Sequence, residues 1–261
     1  MISGRDKRRS CHMNPIIESL YSRKSVRVFE DQPVPPEVKR AVLEAAAQAP
    51  TAGNQQLYTI LDITDPALKA SLAETCDHQP FIATAPVVLV FLADCEKWLR
   101  AYRLAGCDAR LPGVGDLMLA VSDATIAAQN AVVAAESLGL GSCYIGDVME
   151  NCARQRELLR LSAYVFPCAM LVMGYPTEQQ RRRRKPERAA LEHIVRENAY
   201  HVPDEGELRG MFEERARREE KEQFDYDRWI QAFCKRKYNS DFSMEMTRSV
   251  GEYLDAYERG R

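Results

Sequence analysis

The chain has little of what usually announces nucleotide binding or nucleophilic catalysis. It contains no GxxxxGK(S/T) segment, and its one glycine-rich run, Gly139-Leu140-Gly141-Ser142-Cys143-Tyr144-Ile145-Gly146-Asp147, follows a helical pattern without GxGxxG spacing. Both common phosphate-cradling loops are thereby excluded. The 4 histidines, His12, His78, His193 and His201, stand apart, and no Ser-His-Asp or Cys-His arrangement emerges. They are expected at surfaces or on polar contacts. Eight cysteines are scattered with no CxxC pair, several inside apolar runs, which reads as reduced thiols in a cytosolic (cytoplasmic) protein. Cys76 and His78 are close in sequence, but a tetrahedral metal site takes about four ligands, so no metal is expected. The basic opening before Cys11 is followed by no apolar stretch and does not read as a secretory signal. The longest apolar stretches, 83–93 and 124–135, are too short or too polar at their flanks to span a bilayer. Charge is balanced, 36 Lys+Arg against 38 Asp+Glu, so no global field draws the molecule to nucleic acid or an anionic membrane.

What is present is core. With 261 residues at 46% hydrophobic composition, the chain can bury the interior of one elaborated domain. Helical spacing over 15–21 and again from Val38 to Ala46 predicts two helices, the second ending at Ala49-Pro50. A strand is expected over 57–63. Residues 86–93 are apolar on both faces, as in a central strand covered on each side. Residues 122–138 are apolar nearly all round, broken by Gln129, Asn130 and Glu136, and predict a buried helix stopped at Gly139. A strand over 142–145, a helix over 151–161 and a strand over 166–173 follow. Beyond these lie the basic run 181–188, a charged stretch over 205–228 and a thinly apolar, amphipathic end over 229–257. Composition divides the chain into a domain over 1–200 and a helical extension over 201–261 that packs on the core or a partner subunit.

Three polar clusters sit at the junctions of these elements. Arg23, Ser25 and Arg27 alternate along an extended segment and share one face. An arginine fork with a hydroxyl suits a phosphate, although a solvated basic turn is the alternative for this segment alone. The loop Pro50-Thr51-Ala52-Gly53-Asn54-Gln55-Gln56 offers small residues, amides and a hydroxyl to a planar ring or polyol, or is an ordinary loop. The third cluster is the glycine-rich run itself.

Together these segments resemble the nitroreductase superfamily. Arg23-Lys24-Ser25-Val26-Arg27-Val28-Phe29 is similar to its R-x-S-x-R-x-F opening, and Pro50 to Gln56 to its P-(S/T)-x-x-N-x-Q loop. Ala135-Glu136-Ser137-Leu138-Gly139-Leu140-Gly141 with Tyr144-Ile145-Gly146 resembles its A-E-x-L-G-L-G…Y-I-G segment. Lys185-Pro186-Glu187-Arg188 and Glu197-Asn198-Ala199-Tyr200 resemble the ending of its NADPH-dependent, oxygen-insensitive nitroreductase and flavin reductase branch. The resemblance implies an α+β fold with a central, mostly antiparallel sheet flanked by helices, in an intertwined homodimer. It implies FMN as cofactor, NADPH or NADH as donor and a small-molecule electron acceptor, reduced by ping-pong hydride transfer. Arg23, Lys24, Ser25, Lys185 and Arg188 would then hold the FMN phosphate, while Arg27 and Gln79 face the pyrimidine edge. Thr51 and Asn54 would reach the cofactor from the partner, with Tyr144, Ile145 and the backbone N–H of Gly146 near flavin N5. Two departures stand out: Glu187 separates Lys185-Pro186 from Arg188, and Asp147 replaces a second glycine after Y-I-G.

The protein's part in such chemistry is position and charge, with Arg27 stabilising a developing anion. The apolar helix over 122–138 independently predicts a two-fold interface, a helix buried within one subunit being the alternative. Arg236, between Lys235 and Lys237, is the expected contact for an NADPH 2′-phosphate, or belongs to a charged surface helix. Two rivals remain: a dedicated flavin reductase, and a binding module for nucleic acid or an acidic partner built on the run 181–185. The second lacks the interleaved aromatics that base stacking uses, so neither nucleic acid nor membrane is the expected partner.

Overall fold

The computed structural model describes residues 14–221 and 223–258; the basic opening with Cys11 and His12 lies outside the described residues. Asn14 accepts the Ile17 N–H at 3.0 Å and so caps helix α1 (Pro15–Ser22). Proline at the first turn also starts α2 (Pro36–Ala47), α3 (Pro66–Thr75) and α4 (Pro80–Thr84), where its missing N–H costs nothing. Between α2 and α3 runs strand β1 (Tyr58–Asp62), and after α4 comes β2 (Val87–Asp94). The chain continues through α5 (Glu96–Leu104), α6 (Val114–Ser137), β3 (Gly141–Ile145), α7 (Cys152–Leu159), β4 (Val165–Gly174) and α8 (Glu178–Arg182).

The four strands form one antiparallel sheet in the order β1-β2-β4-β3, with Ile60 opposite Phe91, Leu89 opposite Leu171 and Cys143 opposite Val172. Every residue of β2 and β4 is buried, as two-sided apolar strands require. Alternation sends Leu89, Phe91 and Ala93 to the core shared with α2 and α6, and Val88, Val90 and Leu92 to the core shared with α3, α4 and α7. The α+β fold with an antiparallel sheet flanked by helices is the expected one.

Helix α6 begins at Val114, eight residues before the start expected at 122. Gly115 and Asp116 weaken the apolar pattern there, but Asp116 accepts the Gly113 N–H at 2.8 Å and is gripped by Arg110 at 2.6 and 3.0 Å. A carboxylate so placed meets the unpaired N–H groups of a helix start. The apolar run judged too short for a bilayer is thus part of a 24-residue helix that, by length and composition alone, could cross one. Its position says otherwise: Ala120, Ala124, Ala127, Ala128 and Ala131 are fully buried against the sheet, small side chains letting the helix lie close. The basic run is not wholly loop, since Arg181 and Arg182 end α8. Arg181 pairs with Glu30 at 2.7 Å and Arg182 with Glu178 at 2.6 Å.

The chain packs as two compact units, 1–183 with 245–261, and 184–244, whereas composition drew its boundary at 200/201. In the second unit the charged stretch forms α9 (Glu205–Arg218), whose cap Asp204 and third residue Glu207 exchange bonds of 2.9 and 3.1 Å. Helix α10 (Tyr226–Phe233) stacks Trp229 against Phe212 and Phe233 at 5.3 and 4.9 Å between ring centroids. His193 and His201 bond Glu214 and Glu207, each at 3.1 Å. The last helix, α11 (Asp241–Glu258), re-enters the first unit at Glu245 and buries Tyr253 and Tyr257 against Phe166 and Tyr164. The seven described cysteines form no disulfide.

Candidate active site

The strip that leaves α1 is fixed to the sheet by its buried residue. Val26 donates its N–H to the Ser142 carbonyl at 2.9 Å, and Ser25 bridges Ser142 in parallel, so residues 23–27 lie beside the start of β3. Position 141 must be glycine for this approach, because a Cβ there would meet Val26 Cγ2 at 2.6 Å. Alternation then sorts the polar side chains. Lys24 points one way, its Nζ donating to the carbonyls of Arg181 and Arg183, both at 2.6 Å. Arg23, Ser25 and Arg27 point the other way and gather with Arg183 around Cys143. Burial pushes that thiol up, while Arg27, Ser25, Arg23 and Arg183 all pull it down. Arg183 also donates to the Ser25 carbonyl.

Two side-chain atoms in this strip are orphans. Arg23 Nε and Ser142 Oγ are buried with no hydrogen-bond partner among the described residues. Leaving such groups unmade costs roughly 1–3 kcal/mol each, more for a charged one. A donor-rich pocket of guanidinium and hydroxyl groups fits an acceptor-rich dianion, and the FMN phosphate has that chemistry.

At the other end of the strip Arg27 reaches α4, its guanidinium 5.9 Å from the Phe81 ring centroid. Gln79 caps that helix and donates its Nε2 to the Cys76 carbonyl at 2.8 Å. An open cleft of about 600 Å³ is lined there by Arg27, Phe29, Pro80 and Phe81. Past β3, Tyr144 is half-buried with its hydroxyl 3.4 Å from Gln129 Oε1, burial pushing its pKa up to about 12 against the pull of Arg23. Ile145 is buried and Gly146 exposed, opening a tight turn (Asp147–Met149) closed by the Met149 N–H on the Gly146 carbonyl at 3.0 Å.

The loop over 51–56 takes a costly shape. Gly53, Asn54 and Gln56 are all left-handed, with φ of 56, 56 and 49°. Asp123 of α6, 3% exposed, holds it by accepting the N–H groups of Ala52 at 3.0 Å and Leu57 at 3.1 Å. Trp98 Nε1 donates to the Gln55 carbonyl at 2.7 Å, and Lys97 Nζ to those of Gln56 and Tyr58, both at 2.9 Å. The Thr51 hydroxyl accepts the Gln56 N–H at 3.2 Å, leaving Asn54 exposed.

The first unit thus lays Arg23, Ser25 and Arg27 along β3, with Tyr144, Ile145 and Gly146 at its far end and Gln79 at the start of the helix that Arg27 reaches. Thr51 and Asn54 sit on the braced loop, while Lys185, half-buried, and Arg188, exposed, belong to the second unit, as does Arg236, 5.4 Å over the Phe233 ring. Two residues escaped the sequence reading. Arg183 is one of five consecutive cations, with nothing local to single it out. Asp123 did carry a signal, an acid inside an apolar helix.

Residues 20–175 match the profile of the Nitroreductase family, and the chain belongs to that family. The oxygen-insensitive NADPH nitroreductase of Salmonella typhimurium is 36% identical over 193 residues, 74% of this chain and 78% of its own length. The NAD(P)H-type FMN reductase of Bacillus subtilis is 32% identical over 190 residues, 69% of this chain and 74% of its own. Among solved structures, the NfrA1 nitroreductase of B. subtilis aligns with a TM-score of 0.77 at 27% identity, covering 94% of this chain and 98% of that one. The family resemblance drawn from the motifs is borne out.

Proposed function

We propose that the chain is an FMN-dependent NAD(P)H oxidoreductase acting on nitroaromatics, quinones or flavins. The observation that carries this reading is the orphaned pair Arg23 Nε and Ser142 Oγ, where a cationic strip lies beside the start of β3. Held there, FMN would supply the hydride chemistry that links NAD(P)H to the acceptor. The residues around it bind and orient. Arg23, Ser25 and Arg183 would grip the phosphate; Lys185 and Arg188, expected there from the family motif, belong to the second unit. Lys24, whose ammonium is spent on two carbonyls, fixes the segment that carries Arg183. Arg27, with Gln79, would supply positive charge and an amide to the pyrimidine edge, and the Gly146 N–H, Tyr144 and Ile145 would border the ring.

Thr51 and Asn54 serve a second copy of the chain. The homodimer reading is supported by Met118, Leu119 and Ile126, which α6 leaves exposed, and by exposed Ile16 and Leu20 on α1. Exposed Lys235, Arg236 and Lys237 suit the 2′-phosphate of NADPH. Seven described cysteines without disulfides fit a cytoplasmic enzyme. The flavin-bearing domain is assigned to 1–200 and the helical extension to 201–261.

The deciding experiment is to load purified chain with FMN and record its absorbance as NADPH is added under argon. Retained yellow colour that bleaches with NADPH supports the reading; no retained flavin overturns it. Steady-state comparison of nitroaromatic, quinone and free-flavin acceptors separates a general reductase from a dedicated flavin reductase, as the B. subtilis relative is named.

A further inference from the structure

The turn that opens at Gly146 ends on a carboxylate with one oxygen buried and unpartnered among the described residues. Glu150 is 5% exposed, its N–H closes the turn on the Asp147 carbonyl at 3.1 Å, and its Oε1 is buried without a partner among the described residues. The charged groups facing it are Asp147 in the turn, Asp77 just past α3 and Glu245 of α11, all acids. The cation nearby is committed: Arg248 holds Glu245 at 2.7 Å, where Ser249 Oγ and the Asn151 N–H also donate. The thiol of Cys76 borders the group, kept protonated by burial that pushes it up to about 12. Fully buried Gln155 turns its Nε2 to Thr75 Oγ1 at 3.1 Å and Cys76 Sγ at 3.6 Å, leaving its own Oε1 unpartnered as well. A buried anion with a bare oxygen and only like charges around it is strongly disfavoured. A neutral acid converts one of two bare acceptors into a donor.

We propose that Glu150 is a positioning residue around whose neutral, protonated form the Gly146 turn is folded, and that losing this proton places a negative charge at the end of the turn assigned to the flavin and lowers the reduction potential of bound FMN. The inference rests on the flavin reading above. Burial first, then Asp147, Asp77 and Glu245, push the carboxyl up to about 7, so the change falls in the neutral range. Glu150 exchanges its proton with solvent and gives none to substrate; its effect on the cofactor is through charge.

Two measurements test it. In flavin-free chain, the infrared carbonyl stretch of a neutral carboxylic acid is followed through a pH titration alongside thermal unfolding. A carboxyl raised from 4.5 to about 7 by folding leaves stability undiminished below 4.5 and erodes it as pH climbs to 7. Glu150→Gln removes that band and flattens that stretch of the stability curve, whereas Glu150→Asp keeps both. In FMN-loaded chain, midpoint potential is plotted against pH. The wild type shows an extra downward bend near neutral pH that Glu150→Gln lacks. An unchanged band in Glu150→Gln overturns the proton assignment, and superimposed potential curves overturn the coupling. A chain that takes up no FMN overturns the functional reading and the coupling with it, while the flavin-free titration still decides where the proton resides.

Discussion

Arg23 is placed so that its removal is felt chemically rather than structurally. Its Nε is buried with no partner among the described residues, so Arg23→Ala takes little from the fold and a charge-assisted bond worth roughly 1.5–3 kcal/mol from an anion. FMN affinity should fall about 10- to 150-fold by that magnitude, read by quenching of flavin fluorescence, with the unfolding midpoint nearly unchanged. Asp123 is the opposite case. Two backbone N–H groups of a left-handed loop depend on it, and Asp123→Ala should cost about 3 kcal/mol, Asp123→Asn less, because one acceptor survives. Denaturant unfolding checks this. The contrast also marks what the sequence discloses about single residues. Arg23, Ser25 and Arg27 were legible because alternation is a property of the backbone. Arg183 was not, since only the path of α8 decides which member of an arginine run turns back to the Ser25 carbonyl.

Among the elements, α11 is tied to the start of α7 by one acid. Glu245 accepts the Asn151 N–H, and Ser249 accepts that of Cys152 at 3.0 Å, so the last helix satisfies groups that α7 leaves open. Arg248 above all, with Ser249 and the Asn151 N–H, draws the Glu245 carboxyl down to about 2. A depressed acid stabilises the fold fully above its ordinary 4.5 and loses that contribution as pH falls toward 2. Thermal unfolding should therefore drop more steeply between those values in the wild type than in Glu245→Gln. Element types were readable wherever one face pattern dominated, as in β2 and β4. The start of α6 was not, because Asp116, six residues upstream of the expected start, interrupts the apolar pattern and yet caps the helix. The left-handed loop before β1 was equally hidden, its shape being imposed by Asp123, Trp98 and Lys97 from elsewhere in the chain.

For the molecule as a whole, α6 presents one face to the sheet and another to whatever covers Met118, 51% exposed, and Ile126. Ile126→Glu should shift the species seen by light scattering toward the monomer and, because Thr51 and Asn54 are assigned to the partner's cofactor, lower flavin content in parallel. Loss of dimer with flavin retained would overturn that assignment.

The chain leaves the sheet-bearing unit after Arg183 and comes back at Glu245, both points already pinned, one to Ser25 and the other to Asn151. Everything between is a detour with two fastened ends, and the family match closes at residue 175, before it begins. Such a detour can be lengthened, shortened or rewritten without rethreading a single strand, which makes 184–244 the stretch where variants of this scaffold are free to diversify.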